Sequence, residues 1–356
     1  MAQRHERDLI DVRPDERFDE ARLQQYLSGR LHGAEAEMTV SQFGGGKANL
    51  TYLLRFGESL EYVLRRPPLG TYAPSAHDMG RENRVLSVLH EAFPYAPEVF
   101  HYCQDEAIIG APFVIMERCR GVVIRESMPA RFSADAKAPQ LMSQALVDTL
   151  AAFHAVDYAA LGLSELGRPE GFVKRQVEGW WRRWQAAMLD EIPQLDEIYR
   201  WLTQQLPATS SHSLVHNDYK LDNTMFDADD PSRVVAILDW DMCTLGDPLS
   251  DVGTLLTYWT GPDDRPAVRA IGSMPAGDHD FFSRKQILQR YAERSGRDLS
   301  NIRFYHVLGI FRLLVILQQI YIRYVRGYTR DERFARLNVS VSALADWAFE
   351  IMESED

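Results

Sequence analysis

Cysteine is scarce in this sequence, with only Cys103, Cys119 and Cys243 among 356 residues. Their number is odd and their spacing is irregular. This pattern argues against a disulfide framework and against a cysteine-based zinc site, and it is typical of a reducing compartment. We therefore expect a cytoplasmic protein.

Positively charged residues are also few: the sequence has 39 lysines and arginines but 51 aspartates and glutamates, which gives a net charge of −12. This balance argues against nucleic acid or an anionic membrane as the main partner. Residues 1–20 lack the apolar core of a signal peptide. The most apolar stretch, residues 307–325, is interrupted by two arginines and two glutamines. It therefore predicts a buried helix and not a membrane span.

Several catalytic motifs are missing. There is no Gly-x-Ser-x-Gly elbow and no paired metal cluster, which argues against the common hydrolases. Gly46-Lys47 does not belong to a Walker A loop, because Ala48 follows it and Gln42 stands where that motif needs a glycine. The apolar and charged fractions, 46% and 25%, are ordinary for a soluble globular protein.

One polar loop between two apolar runs carries the strongest signal. His216-x-Asp218 is followed by Asn223, and the second run ends at Asp239. The order resembles the catalytic loop of protein kinases and the metal-binding aspartate that follows it. Phosphoryl transfer needs a carboxylate to orient the acceptor hydroxyl and accept its proton. It also needs hard oxygen ligands to hold Mg²⁺ against the phosphates.

The first third of the chain has the pattern of a nucleotide-binding sheet. Two alternating runs flank a glycine turn that includes Gly45, Gly46 and Asn49, so the turn is either an ordinary hairpin or a phosphate-binding loop. The next strand carries Arg65 where kinases place a lysine, with Arg66 as the alternative, and Glu82 on the following helix is placed to pair with it.

A later strand, residues 113–117, gives way to a linker that resembles a nucleotide-binding hinge, with Glu117 in the backbone that faces the base. From residue 139 onward the pattern is mainly helical. We therefore predict an α+β fold with an antiparallel-sheet lobe at residues 1–118 and a mainly helical lobe at residues 119–356. In the helical part, Trp180, Trp181 and Trp184 line either an acceptor pocket or the core, and a buried Asp247 is expected to hold the catalytic loop.

With these residues assembled, the sequence resembles the aminoglycoside phosphotransferase and choline kinase-like family. Within it, the sequence is most similar to the branch that is fused to acyl-CoA dehydrogenases in animals. The matching blocks are Gly45-Gly46 with Asn49-Leu50-Thr51, Tyr62 to Arg65, Arg81-Glu82, Phe113 to Glu117, His216-x-Asp218 with Asn223, and Leu238-Asp239-Trp240 with Gly246-Asp247-Pro248. The resemblance implies the two-lobe fold of protein kinases.

The resemblance also implies roles for single residues. Asp218 would be the catalytic base, and Lys220 would contact the transferred phosphate. Asn223 and Asp239 would be the Mg²⁺ ligands, while Arg65, paired with Glu82, would hold the phosphates of ATP. The expected activity is transfer of the γ-phosphate of ATP to a hydroxyl of a small molecule.

The acceptor is left open by these observations. The branch resemblance favours a hydroxyacyl-CoA-like acid. The alternatives are an aminoglycoside, a choline-like alcohol or a sugar. Because Arg65 replaces the usual lysine, a nucleotide-binding pseudokinase is a further alternative. In each case the expected ligands are ATP and Mg²⁺, without a nucleic acid or membrane partner.

Overall fold

The computed structural model describes residues 9–44, 49–69, 77–208, 211–277, 279–329 and 331–354. The chain divides into two compact units. The first unit comprises Met1–Val122 and Thr224–Cys243, and the second comprises Val123–Asn223 and Thr244–Asp356. The predicted division after residue 118 treated each lobe as one continuous segment. The structure differs, since the segment Thr224–Cys243 groups with the first unit.

In the described residues the strands and helices follow each other along the chain. The strands are β1 (Leu9–Ile10), β2 (Met38–Phe43), β3 (Leu50–Phe56), β4 (Leu60–Arg66), β5 (Val99–Cys103), β6 (Phe113–Glu117), β7 (Val122–Val123), β8 (Ser213–Val215), β9 (Thr224–Phe226), β10 (Val234–Ile237) and β11 (Thr244–Gly246). The helices are α1 (Glu20–Leu27), α2 (Met79–Ala92), α3 (Ala130–Ser133), α4 (Ala138–His154), α5 (Phe172–Ala187), α6 (Pro193–Gln204), α7 (Leu249–Tyr258), α8 (Pro266–Arg269), α9 (Arg284–Ser295), α10 (Ile302–Val325) and α11 (Leu337–Glu353).

The first unit is built on a six-stranded antiparallel sheet in the order β1-β2-β3-β4-β6-β5. Alternating side chains such as Tyr52, Leu54 and Leu64 are buried in its core, together with Leu23 and Leu27 of α1. Alternation with a period of two places every second side chain on one face of a strand, which explains the burial pattern. The register pairs Thr51 with Arg65 and thereby fixes the place of Arg65 in the sheet.

The second unit is mainly helical, and α10 is its central helix, packed against α5, α6, α7 and α11. Helices α7 and α10 cross closely because Gly253 and Gly309 lie at the crossing. A Cβ atom on Gly309 would lie 2.7 Å from the carbonyl oxygen of Gly253. By length and composition α10 is long and apolar enough to cross a membrane, but 61% of its most apolar stretch is buried. That burial is typical of a core helix. Sheet and helices together confirm the predicted α+β class.

Candidate active site

The catalytic-loop motif lies in the second unit, between β8 and a turn of 3₁₀ helix at Leu221–Asn223. Three of its predicted residues meet at one carboxylate. The Lys220 ammonium donates to both oxygens of Asp218, at 2.8 and 2.7 Å, and the Asn223 amide nitrogen donates to Asp218 Oδ2 at 2.8 Å. The Asp218 side chain is 20% exposed, so a small molecule can reach it. A hydrogen-bonded, accessible carboxylate of this kind suits proton transfer from a hydroxyl.

Lys220 is held in its charged form. Burial favours the neutral amine, but the Asp218 carboxylate outweighs it and raises the pKa of Lys220 above its usual range. The ammonium also lies over the ring of Tyr258, 4.8 Å from the centroid. A permanent positive charge therefore lies beside Asp218, where it can neutralise charge on a transferred phosphate.

Asp251, on α7, anchors the backbone of this loop. Its carboxylate accepts hydrogen bonds from the amides of His216 and Asn217, at 2.6 and 2.7 Å, and lies 3.2 Å from His154 Nε2. Although burial opposes ionisation, the hydrogen bond from His154 and those from the loop lower the pKa of Asp251. Asp251 is therefore a buried anion that fixes the residues directly before Asp218.

The expectation that Asp247 holds the loop was wrong in its choice of residue. Asp247 is buried, but it accepts hydrogen bonds from the Tyr305 hydroxyl at 2.7 Å and from the Leu249 amide at 3.0 Å. It therefore braces the start of α7, while Asp251 contacts the loop. Both aspartates lie close to the start of α7, and their local sequence does not indicate which one reaches the loop.

In the first unit, Arg65 pairs with two carboxylates. Its Nη1 atom lies 2.9 Å from Glu82 Oε1, and its Nη2 atom donates to Asp239 Oδ1 at 2.6 Å. Burial raises the pKa of Glu82 to about 7, against the lowering effect of the Arg65 charge. Glu82 is fully buried, so the guanidinium is needed to compensate its charge. The structure thus brings together three of the predicted site residues.

The alternative cation, Arg66, has different hydrogen-bond partners from Arg65. Its guanidinium donates to the carbonyl oxygens of Ile109 and Glu16, at 2.9 and 2.6 Å, and to the Tyr52 hydroxyl. Arg66 is therefore part of the core of the first unit, and Arg65 is the arginine that pairs with Glu82. Successive residues of a strand point to opposite faces, which explains their different surroundings.

Asn49 belongs to a second polar group in the first unit that the sequence did not indicate. Its amide nitrogen donates to Asp241 at 3.0 Å, and its oxygen lies 2.9 Å from His77 Nδ1. Burial and the neighbouring Asp239 raise the pKa of Asp241. The group ties the residue before β3 to the chain just after Asp239. Gly45 and Gly46, the other predicted loop residues, lie outside the described residues.

Glu117 ends β6, and its side chain is exposed. Its amide donates to the carbonyl oxygen of Glu98 at 2.8 Å. That amide is therefore occupied within the sheet, and contact of the backbone from Met116 to Arg118 with a nucleobase stays a prediction.

The predicted metal ligands, Asn223 and Asp239, are divided between the two units. Across the described ranges, no group of three or more histidine, cysteine, aspartate or glutamate side chains is arranged to hold a metal ion. The donor chemistry still suits Mg²⁺, since each unit offers a hard oxygen ligand from a carboxylate or an amide. Binding of one Mg²⁺ by Asn223 and Asp239 stays a prediction.

A small pocket of about 20 Å³ lies beside the catalytic loop in the second unit. Asn217, the residue before Asp218, lines it together with Gln176, Trp180, Tyr305 and Arg312. Of the three tryptophans of α5, Trp180 is thus the one at this pocket. Trp184 is buried, and Trp181 stacks on Tyr199 at 4.4 Å.

Comparison with known proteins places these features in a family. Residues 39–283 match the model of the phosphotransferase enzyme family. Rat acyl-CoA dehydrogenase family member 11 (Rattus norvegicus) is 34% identical over 97% of this chain, but the chain spans only 44% of that relative. The predicted likeness to the animal branch is thereby confirmed.

Solved structures agree with this result. A structure from Ralstonia eutropha JMP134, named after the aminoglycoside phosphotransferases, is 30% identical with a TM-score of 0.79, covering 95% of this chain and 99% of that one. The aminoglycoside phosphotransferase APH(4)-Ia, solved with AMP-PNP and hygromycin B, has a TM-score of 0.55 at 18% identity, covering 90% and 98%. These likenesses confirm the predicted kinase-like fold. The chain therefore belongs to the phosphotransferase enzyme family.

Proposed function

We propose that this protein is a small-molecule kinase that transfers the γ-phosphate of ATP to a hydroxyl group of a metabolite. The observation that carries the proposal is the Asp218 carboxylate, held by both Lys220 and Asn223 on a loop anchored by Asp251. An accessible carboxylate with an adjacent fixed cation matches the needs of phosphoryl transfer to an alcohol.

In the proposed reaction Asp218 accepts the proton of the acceptor hydroxyl. The hydroxyl oxygen bonds to the γ-phosphorus, while the bond from that phosphorus to the β,γ-bridging oxygen breaks and ADP leaves. Lys220 exchanges part of its contact with Asp218 for the oxygens of the moving phosphoryl group. Arg65, positioned by Glu82, binds the remaining phosphates. Catalysis is then mainly positioning and charge neutralisation.

Magnesium fits the donor set, and Asn223 and Asp239 would hold it. When bound, Mg²⁺ neutralises charge on the β- and γ-phosphate oxygens. The use of ATP is further supported by the solved relative that binds AMP-PNP.

The test is the substitution Asp218→Asn. We expect acceptor-dependent ADP release to fall by at least about 10²-fold, the usual contribution of a general base, while ATP binding measured by calorimetry persists. Asp263→Asn is the matched control, because Asp263 is an exposed aspartate of the same unit. Turnover of Asp218→Asn within about threefold of the control would refute the assigned role.

The first candidate acceptor is a hydroxyacyl-CoA-like acid, since the similar animal proteins are named acyl-CoA dehydrogenase family members. Aminoglycosides, choline-like alcohols and sugars are the alternatives. A screen of these classes for ADP release separates them. A response confined to the alternatives would remove the first candidate.

One observation favours a pseudokinase as the second candidate function. Arg65 pairs with Asp239, the predicted metal ligand, at 2.6 Å, and so competes with a cation for that carboxylate. Stabilisation by ATP that requires Mg²⁺, without phosphate transfer to any acceptor of the screen, would support this second function.

A further inference from the structure

The Lys220 ammonium contacts an aromatic ring as well as the Asp218 carboxylate. Its nitrogen lies 4.8 Å from the ring centroid of Tyr258, within the range of a cation–π attraction. The Lys220 side chain is only 14% exposed, so little water competes for its charge. A cation–π contact is stronger under these conditions, because its energy rises when the cation is desolvated. The ring of Tyr258 therefore helps to determine where the ammonium lies.

Tyr258 is the last residue of α7, and Asp251 lies seven positions earlier on the same helix. Seven residues make nearly two full turns, so the two side chains lie on one face of the helix, about 10 Å apart along its axis. Asp251 accepts hydrogen bonds from two amides of the catalytic loop, while Tyr258 contacts Lys220 of the same loop. One face of α7 thus contacts both the backbone of the catalytic loop and its lysine.

The end of α7 that carries Tyr258 is itself held in place. The carbonyl oxygen of Tyr258 accepts a hydrogen bond from the Ser273 amide at 3.0 Å. The ring nitrogen of the buried Trp259 donates to the carbonyl oxygen of Phe282 at 2.7 Å. A lysine side chain, by contrast, has many rotamers available to it. A ring on a fixed helix end can therefore restrict the position of the Lys220 ammonium.

An aromatic ring suits this position because it attracts the ammonium without cancelling its charge. The face of a neutral ring carries only partial negative charge, whereas another carboxylate would add a full negative charge that repels a phosphate. Burial raises the pKa of Tyr258, which keeps its hydroxyl protonated and its ring uncharged. When Lys220 exchanges its contact with Asp218 for the phosphoryl oxygens, the ring can therefore keep its hold on the ammonium.

We propose that Tyr258 is a positioning residue, in which the face of the ring holds the Lys220 ammonium where it contacts the transferred phosphoryl group. The inference rests on the proposed kinase function and adds a residue that no sequence motif indicates. In this role Tyr258 acts through Lys220 and not on the reacting atoms. The aromatic face makes the contact, and the hydroxyl is dispensable.

The first experiment measures how tightly the protein binds a mimic of the moving phosphoryl group. The probe is ADP with aluminium fluoride and Mg²⁺, the reference is ADP with Mg²⁺ alone, and both are measured by calorimetry. The wild type is compared with Tyr258→Phe, with Tyr258→Leu and with a protein in which pentafluorophenylalanine replaces Tyr258. The fluorinated ring keeps its shape but reverses the charge distribution of its face. Tyr321→Leu is the matched control, because Tyr321 is a partly exposed tyrosine of α10 in the same unit.

We expect Tyr258→Phe and Tyr321→Leu to bind the fluoride complex within about threefold of the wild type, because both keep an aromatic face at position 258. Tyr258→Leu and the fluorinated protein should bind it at least about tenfold more weakly. Binding of ADP with Mg²⁺ alone should change by less than about threefold in every variant, since the contact matters for the moving phosphoryl group. The fluorinated ring fills nearly the same space as phenylalanine, so its effect is separated from any loss of folding in Tyr258→Leu.

The second experiment observes the contact without any phosphate. Protein labelled with ¹³C-lysine gives few signals, because the chain has only five lysines: Lys47, Lys137, Lys174, Lys220 and Lys285. The signal of Lys220 is assigned by its loss in Lys220→Arg. The protons on the carbon next to Nζ should be shifted upfield by the ring current in the wild type and in Tyr258→Phe. This shift should disappear in Tyr258→Leu.

The outcomes separate the role of Tyr258 from the kinase function. If Tyr258→Leu and the fluorinated protein bind the fluoride complex as tightly as the wild type, the positioning role is overturned and the kinase function stands. An equal loss in Tyr258→Phe would assign the effect to the hydroxyl and would also overturn the proposal, as would the absence of the Lys220 shift in the wild type. If the wild type binds the fluoride complex no more tightly than ADP alone while the Lys220 shift is present, the kinase function is rejected, and the positioning role is rejected with it.

Discussion

Replacing Asp251 with asparagine should disturb the position of the catalytic loop while leaving the predicted catalytic side chains unchanged. The two carboxylate oxygens accept separately from the amides of Asn217 and His216, at 2.7 and 2.6 Å. Asparagine has one acceptor oxygen, so one amide would face an NH₂ group. Loss of a hydrogen bond to a charged group costs about 1.5–3 kcal/mol, and a buried donor left unpaired costs about 1–3 kcal/mol more. We therefore expect Asp251→Asn to lower the free energy of unfolding by about 3–5 kcal/mol.

The assay has two parts. Urea unfolding followed by tryptophan fluorescence gives the change in stability, and steady-state kinetics gives kcat and the KM for ATP. Because the loop loses its anchor while Arg65 and Glu82 lie in the other unit, we expect kcat to fall by about 10²-fold and the KM for ATP to change little.

The control is Asp148→Asn, which breaks partly exposed ion pairs with Arg290 and Arg294 and should cost about 1 kcal/mol or less. If Asp251→Asn behaves like this control, with unchanged kcat, the loop does not depend on Asp251 and the reasoning is refuted.

Two further predictions concern other buried groups. Arg65→Lys retains the charge, but one ammonium cannot reproduce the separate contacts with Glu82 and Asp239. We therefore expect urea unfolding to show a free energy of unfolding that is lower by about 1.5–3 kcal/mol. Steady-state kinetics should show a higher KM for ATP. Burial and the nearby Arg284 lower the pKa of His306 to about 3. As pH falls below about 6.5, His306 takes up a proton in the unfolded chain but stays neutral in the folded protein. His306 should therefore lower the free energy of unfolding by about 2 kcal/mol at pH 5 and by less than about 0.5 kcal/mol at pH 7.

A specific result would contradict each of these two predictions. An unchanged KM for ATP in Arg65→Lys would show that the guanidinium has no part in nucleotide binding. His306→Gln should have a shallower loss of stability between pH 7 and pH 5 than the wild type, with the partly exposed His279→Gln as control. Parallel pH profiles for all three proteins would contradict the assigned shift.

The loop from His216 to Asn223 was the most predictable part of the site, because its residues lie within a short stretch of sequence and local backbone geometry brings them together. The ion pair of Arg65 with Glu82 was also expected, since strand and helix follow each other directly. By contrast, Asp251 meets the loop only through the packing of α7, at a separation of 34 or more positions. The same holds for His77 and Asp241, which meet at Asn49 from distant parts of the chain.

The sequence by itself determined the family and the α+β class, and it indicated the residue types of the proposed reaction, because these depend on short spacings and on alternating or helical patterns. Only the tertiary structure decided which aspartate anchors the loop and which arginine pairs with Glu82. It also decided which tryptophan has two guanidinium groups near its ring. The physical reason is that the direction and burial of a side chain depend on long-range packing, which neighbouring residues in the chain do not specify.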